Sequence, residues 1–175
     1  MPIVAALVAF ALAAPSSPPV PARSLPGQNE SWAGDLHILQ LWSDNQEQFL
    51  KEWEQPTPPN LTTTNRIERN KPIFLFLIFD SCKADAKGNC NLVGSVDILD
   101  PDGSPYGKHD GVKFWDNLPA PETKSLVLSP GGIGLVIENG EKLGRYTVHV
   151  AVTDTIANVT AHTEDVITIV EAGPK

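Results

Sequence analysis

Two cysteines, four histidines and many scattered carboxylates are the side chains here with chemistry to offer. Cys82 and Cys90 enclose seven residues, a spacing that suits a bridge across a short loop. A redox C-x-x-C would have two intervening residues, and a cysteine zinc site would need two more ligands close by. Neither pattern is present, so the pair reads as a structural disulfide. Closing a loop of that size stabilises a fold by about 2.6 kcal/mol on the chain-entropy model. Among the histidines, His149 and His162 fall in two segments that should pair as the last two strands. Two imidazoles hold copper or zinc only with further partners, for which Glu164 or Asp165 would be the nearest supply. That makes metal carriage the alternative reading of this chain. Asp80, Asp85, Asn89 and Asn91 crowd around the cysteine loop, yet they lack the alternating acids and distant Glu of a calcium loop.

Nucleophilic chemistry finds little support. Ser104, His109 and Asp110 are near neighbours in one segment, with no strained turn to present the serine. There is no G-x-S-x-G, no H-E-x-x-H and no phosphate-cradling glycine loop. No residue is assigned a catalytic role, no cofactor is expected, and the protein is expected not to be an enzyme. What remains is binding. Tyr106, Phe114 and Trp115 stand in an irregular stretch, Ser104 to Asn117, and are the candidate partner-binding loop.

The elements that must position these groups are strands. Phe74 to Phe79 is a short apolar run rich in strand-preferring residues. Both of its faces are apolar, so it should be covered twice. Phe74, Phe76 and Ile78 are expected to meet Val148 and Val150 across the core, with the segment from Trp42 to Trp53 over the other face. Asn91 to Leu99 alternates, and a hairpin closed by Cys82 and Cys90 would join it to the first run. Asp35 to Leu41 suggests a short strand, and Ser43-Asp44-Asn45-Gln46 has the form of a capping box that would open a helix carrying Phe49, Leu50 and Trp53. Leu61 to Arg69, Ser125 to Leu128, Ile133 to Glu138, Arg145 to Asp154 and Thr160 to Val170 read as further strands between turns. The sum is an all-β chain: an immunoglobulin-like antiparallel β-sandwich of about seven strands, with a short N-terminal strand and helix packed against it. Tyr146 follows a glycine-containing turn at the start of the penultimate strand, where a tyrosine corner belongs.

Bulk properties bound the partners. The 175 residues carry a formal net charge of −8, which opposes binding to nucleic acid or docking on an anionic membrane surface. Ile3 to Ala14 is apolar, of signal-peptide length and too short to span a bilayer. The expected organisation is a signal peptide at 1–13, a Pro/Ser-rich spacer at 14–33, the strand and helix extension at 34–58 and the sandwich at 59–171.

Several turns carry a likeness beyond this. Glu52-Trp53-Glu54-Gln55-Pro56, Phe79-Asp80-Ser81-Cys82 with Gly88-Asn89-Cys90, Pro101-Asp102-Gly103-Ser104-Pro105-Tyr106 and Gly144-Arg145-Tyr146 together resemble a family of small exported bacterial proteins. The resemblance implies a periplasmic immunoglobulin-like β-sandwich and brings no catalytic residue with it. The functional expectation is a non-catalytic periplasmic module that binds another protein or envelope component. It binds no nucleic acid and inserts in no membrane once the signal is removed.

Overall fold

The computed structural model describes residues 29–55 and 59–173. The expected signal peptide and residues 14–28 of the expected spacer lie outside them. Alternation of apolar and polar residues becomes ten strands and one helix among the described residues. They are β1 (Glu30–Ala33), β2 (Leu36–Ser43), α1 (Gln46–Trp53), β3 (Arg66–Glu68), β4 (Ile73–Asp80), β5 (Asn89–Leu99), β6 (Pro105–Pro119), β7 (Val127–Leu128), β8 (Ile133–Leu135), β9 (Gly144–Asp154) and β10 (Val159–Val170).

Two sheets pack face to face as a β-sandwich. One runs β1-β2-β4, with β7 and β8 sharing the far edge of β4; the other runs β3-β10-β9-β5-β6. Every pairing is antiparallel except the short one between β3 and β10. Leu75, Leu77 and Phe79 of β4 face inward with Leu36, Ile38 and Trp42 of β2, and meet Tyr146, Val148, Val150 and Val152 of β9 in one core. The inward row of β4 is therefore the opposite of the one expected. Phe74, Phe76 and Ile78 face outward, because β2 and β4 pair with Trp42 opposite Leu75 and Leu41 opposite Phe76.

The doubly covered strand is nonetheless real. Helix α1 lies on the outer face, where Phe49 stacks on Phe76 at 3.8 Å between ring centroids and 10° between planes. Phe49 is fully buried there. Trp42 is not part of this cover, since it points into the core. The helix begins later than the capping box suggested. Ser43 is the last residue of β2, paired with Phe74, so Asn45 is the N-cap and its side chain accepts from the Gln48 amide. The N-terminal strand is an inner member of the sheet, between β1 and β4, and β1 begins within the stretch expected to be spacer.

Cys82 and Cys90 form the expected disulfide, with Cα atoms 6.1 Å apart. They do not close a hairpin. β4 and β5 belong to different sheets, because β2, β7 and β8 occupy the edges of β4 while β9 and β6 flank β5. The bridge thus ties the crossover between the sheets, and both cysteines are buried in the core. Within that crossover Asp85 is no idle surface charge. Its Oδ1 accepts from the Lys87 and Asn89 amides. Those two bonds, the one from Asn89 first, hold its carboxyl below the usual range.

Candidate functional site

Strand β6 holds the three aromatics expected to form a binding loop, and it uses them for packing. The segment is a 15-residue edge strand, paired to β5 with several register shifts. Those shifts turn Phe114 into the core, where it is 1% exposed, and bring Trp115 edge-on to Phe79 at 5.1 Å. The Trp115 indole donates to the Pro119 carbonyl. Tyr106 packs edge-on to Tyr146, and its hydroxyl donates to Glu141. Phe114 is thus committed to the core, while Tyr106 and Trp115 pack against it and stay partly exposed. Tyr146 itself behaves as a tyrosine corner: buried, with its hydroxyl donating 2.8 Å to the carbonyl of Lys142, four residues back.

The histidine pair is brought to one face but not completed. Ala151 pairs with His162 and His149 with Glu164, so both imidazoles stand on the outer face of the β9/β10 ladder. His149 Nδ1 lies 3.4 Å from Glu164. Asp165 cannot join them, because it alternates to the inner face. Among the described residues no group of three or more His, Cys, Asp and Glu is placed to hold a metal ion. Ser104, His109 and Asp110 are likewise not assembled: Ser104 lies before β6, in the turn held by Asp100, and His109 and Asp110, adjacent on β6, point to opposite faces of the sheet.

The site lies at one end of the sandwich and was not marked by any of those residues. An open cleft of about 770 Å3 is bounded by the β1–β2 turn, the start of the Cys82 crossover, residues 121–124 and the β9–β10 turn. Gly34-Asp35 makes the first boundary. Gly34 has φ +59, as the first position of a two-residue type II′ hairpin requires. That turn places Trp32 opposite His37. The two rings stack in parallel, 4.6 Å apart and 5° from coplanar, and Trp32 is still 56% exposed.

His37 is fixed from both sides. Its Nδ1 is 2.9 Å from Asp80 Oδ2 and its Nε2 is 2.8 Å from Glu30 Oε1. β1, β2 and β4 are therefore joined by a side-chain chain as well as by their ladders. Asp80 Oδ1 also accepts from the Ser81 hydroxyl. Below it, the buried Asp154 carboxylate accepts from the amides of Lys83, Ile156 and Ala157 and so anchors the crossover to the β9–β10 turn. Cys82 lines the cleft too, so the disulfide braces its floor.

A second, smaller pocket of about 390 Å3 opens at the β2–β10 side of the sandwich. Gln40 is fully buried; its Oε1 accepts from the Thr163 hydroxyl, but its Nε2 and the indole nitrogen of Trp42 have no partner among the described residues. Burial raises the Asp165 carboxyl beside them above the usual range. This is a polar intrusion into an otherwise apolar core.

Sequence reasoning passed over Trp32 and His37. One signal was available: a Gly-Asp pair between two runs of strand residues is a two-residue hairpin turn. The proline-rich stretch before it hid the point where order begins.

No protein-family model matches this chain, and no curated protein matches it. Three solved structures show a slight likeness. A family 123 glycoside hydrolase from Clostridium perfringens is 11% identical over 77% of this chain and 28% of that one, with a TM-score of 0.42. A Niemann-Pick type C2 protein from Japanese carpenter ant is 11% identical over 60% and 79%, with a TM-score of 0.39. The alkylpurine DNA glycosylase AlkC from Pseudomonas fluorescens, in a DNA complex, is 14% identical over 65% and 28%, with a TM-score of 0.37. This chain spans little more than a quarter of the glycosylase and of the hydrolase. At such scores none of the three carries an argument about function.

Proposed function

We propose that this protein is a non-catalytic binding module of the bacterial periplasm, and that it holds an envelope component in the cleft lined by Trp32. The observation that carries the reading is the indole itself. Among the described residues it is the most exposed of the large apolar side chains, and the fixed His37 ring holds it in place. An exposed indole at the mouth of a cleft gives a ligand apolar surface to cover, and covering it is favourable. A ring already held in one orientation has little rotamer freedom left to lose when a ligand arrives.

The non-catalytic part of the reading is supported by the same geometry. Both nitrogens of His37 are engaged by carboxylates, so neither is left to serve as a base for Ser81. Ser81 gives its own proton to Asp80. Export is supported by the disulfide, which persists in oxidising compartments, and by the apolar N-terminal run. The likeness of the turn motifs to exported bacterial proteins points the same way.

The test uses the full chain, expressed so that it is exported, and an envelope fraction washed over the immobilised protein. Wild type should retain a component that Trp32→Ala releases, while Leu143→Ala, an exposed apolar position outside the cleft, should retain it. Retention that ignores Trp32→Ala would remove the cleft from the reading.

A further inference from the structure

We infer that the Trp32 cleft binds a saccharide chain of flat, all-equatorial pyranose rings, β-linked and uncharged. The inference rests on the binding-module reading above and names the class of its ligand.

Three features of the cleft select this chemistry. The first is the aromatic face. His37 covers one side of the indole, so the exposure of Trp32 belongs to its other side and edge. A pyranose whose hydroxyls are all equatorial presents flat patches of C–H on both faces. Such a patch lies on an indole as apolar surface, while its hydroxyls point outward around the rim. Second comes the rim. Asp35 and Asp80 supply acceptors, Lys83 and Lys124 supply donors, the Ser81 oxygen accepts while its proton is held by Asp80, and the Thr123 hydroxyl can do both. A hydroxyl is donor and acceptor at once, so a mixed rim of this kind suits a polyol. The third feature is balance. Asp35 and Asp80 balance Lys83 and Lys124, and the third carboxylate of the lining, Asp154, is buried and taken up by three backbone amides, so the exposed rim favours a ligand of neither sign.

Other ligands fit less well. A nucleotide would also stack, but it brings phosphates to a protein of net charge −8. A quaternary ammonium is best held by several aromatic rings, and Trp32 is the only aromatic residue of the lining besides the His37 ring beneath it. A peptide strand would be read by the main chain of edge strand β1 and would not need the indole face. The cleft volume, about 770 Å3, falls within the range for small-molecule sites and leaves room for more than one ring.

The chemistry is shared by glucose-based and N-acetylglucosamine-based chains, so cellohexaose and chitohexaose are the two probes. Titration of the full-length oxidised protein with each, by calorimetry and by ligand-observed NMR, should show binding of at least one with Kd in the range of about 10 μM to 1 mM. Trp32→Ala should weaken it at least about tenfold, a loss of about 1.4 kcal/mol. Trp32→Phe, which keeps a stacking face, should restore most of the affinity, and Leu143→Ala should leave it unchanged. Stronger binding of chitohexaose would assign the N-acetylated source, and stronger binding of cellohexaose the glucan. Thermal unfolding of each variant confirms that the fold is kept. No binding of either probe at about 10 mM, or binding indifferent to Trp32→Ala, overturns the inference. If neither probe binds while the envelope component still requires Trp32, the saccharide is wrong and the binding module stands. Loss of both results removes both.

Discussion

Tyr146 and Asp165 are opposite cases of a polar group turned toward the core. Tyr146 buries its ring and satisfies its hydroxyl at once on the Lys142 carbonyl. Replacing it with phenylalanine keeps the ring and its edge-on contact with Tyr106. The loss is one hydrogen bond, about 1 kcal/mol, which urea unfolding should show as a lower midpoint with an unchanged slope. Asp165 faces inward because Thr163 and Ile167 on either side of it do, and burial raises its carboxyl. The folded chain then binds that proton more tightly than the unfolded chain, whose aspartates titrate near about 3.9. By linkage, its cost is absent below the unfolded value and grows as pH rises through the raised folded value. Asp165→Asn should therefore gain on wild type between about pH 4 and pH 7, and the gap should close on acidification. Urea midpoints of both proteins at each end of that window measure it. A gap independent of pH would mean that ionisation of Asp165 costs the fold nothing.

At the scale of elements, β5 is held between a regular partner and an irregular one. Its register with β9 is unbroken from Leu92 to Leu99, whereas its register with β6 shifts four times. Gly94 lies at one of the shifts. A methyl group added there would sit 1.8 Å from the Ala151 carbonyl oxygen and 3.1 Å from the Phe114 ring. The obstacle is backbone on one side and a fully buried ring on the other, and neither can swing away. Gly94→Ala should destabilise by about 1–3 kcal/mol or more as β5 and β9 are forced apart. Chemical unfolding would show it, together with broadened amide signals along both strands. A neutral result would mean the two strands have slack the packing does not suggest.

For the molecule as a whole, the disulfide has a larger part than closing a loop. It joins the end of β4 to the start of β5, so it ties one sheet to the other beside the floor of the Trp32 cleft. Cys82→Ala with Cys90→Ala should lower stability by about 2–4 kcal/mol. The fold should survive, since domains of this kind have about 5–15 kcal/mol in hand and the core between β4 and β9 is untouched. Far-UV circular dichroism should be unchanged while the unfolding midpoint falls. Thiol titration of the exported chain under denaturing conditions should find no free thiol; two per chain would remove both the bridge and much of the case for export.

What the sequence determined by itself was periodicity and local chemistry. Alternation in Arg145–Asp154 and Asn91–Leu99 dictated strands, Gly144 before Tyr146 marked the corner, and the spacing of Cys82 and Cys90 specified a bridge. These are short-range properties, in which each residue answers to neighbours a few positions away. The sandwich followed from them because half-apolar strands are stable only when their apolar faces meet. Which face of β4 turned inward could not be read locally, since both of its rows are apolar; only its register with β2 chose Leu75, Leu77 and Phe79. The fate of Tyr106, Phe114 and Trp115 depended in the same way on bulges in β6, which have no signature in the residues themselves. The cleft was further still from view. Trp32, His37, Asp80 and Cys82 come from β1, β2, β4 and a crossover, and Lys124 and Asp154 approach from later turns. A site assembled from so many separate segments exists only once long-range pairing has brought them to one end of the sandwich. Local sequence sets the strands, while the pairing of distant segments sets the surface they present.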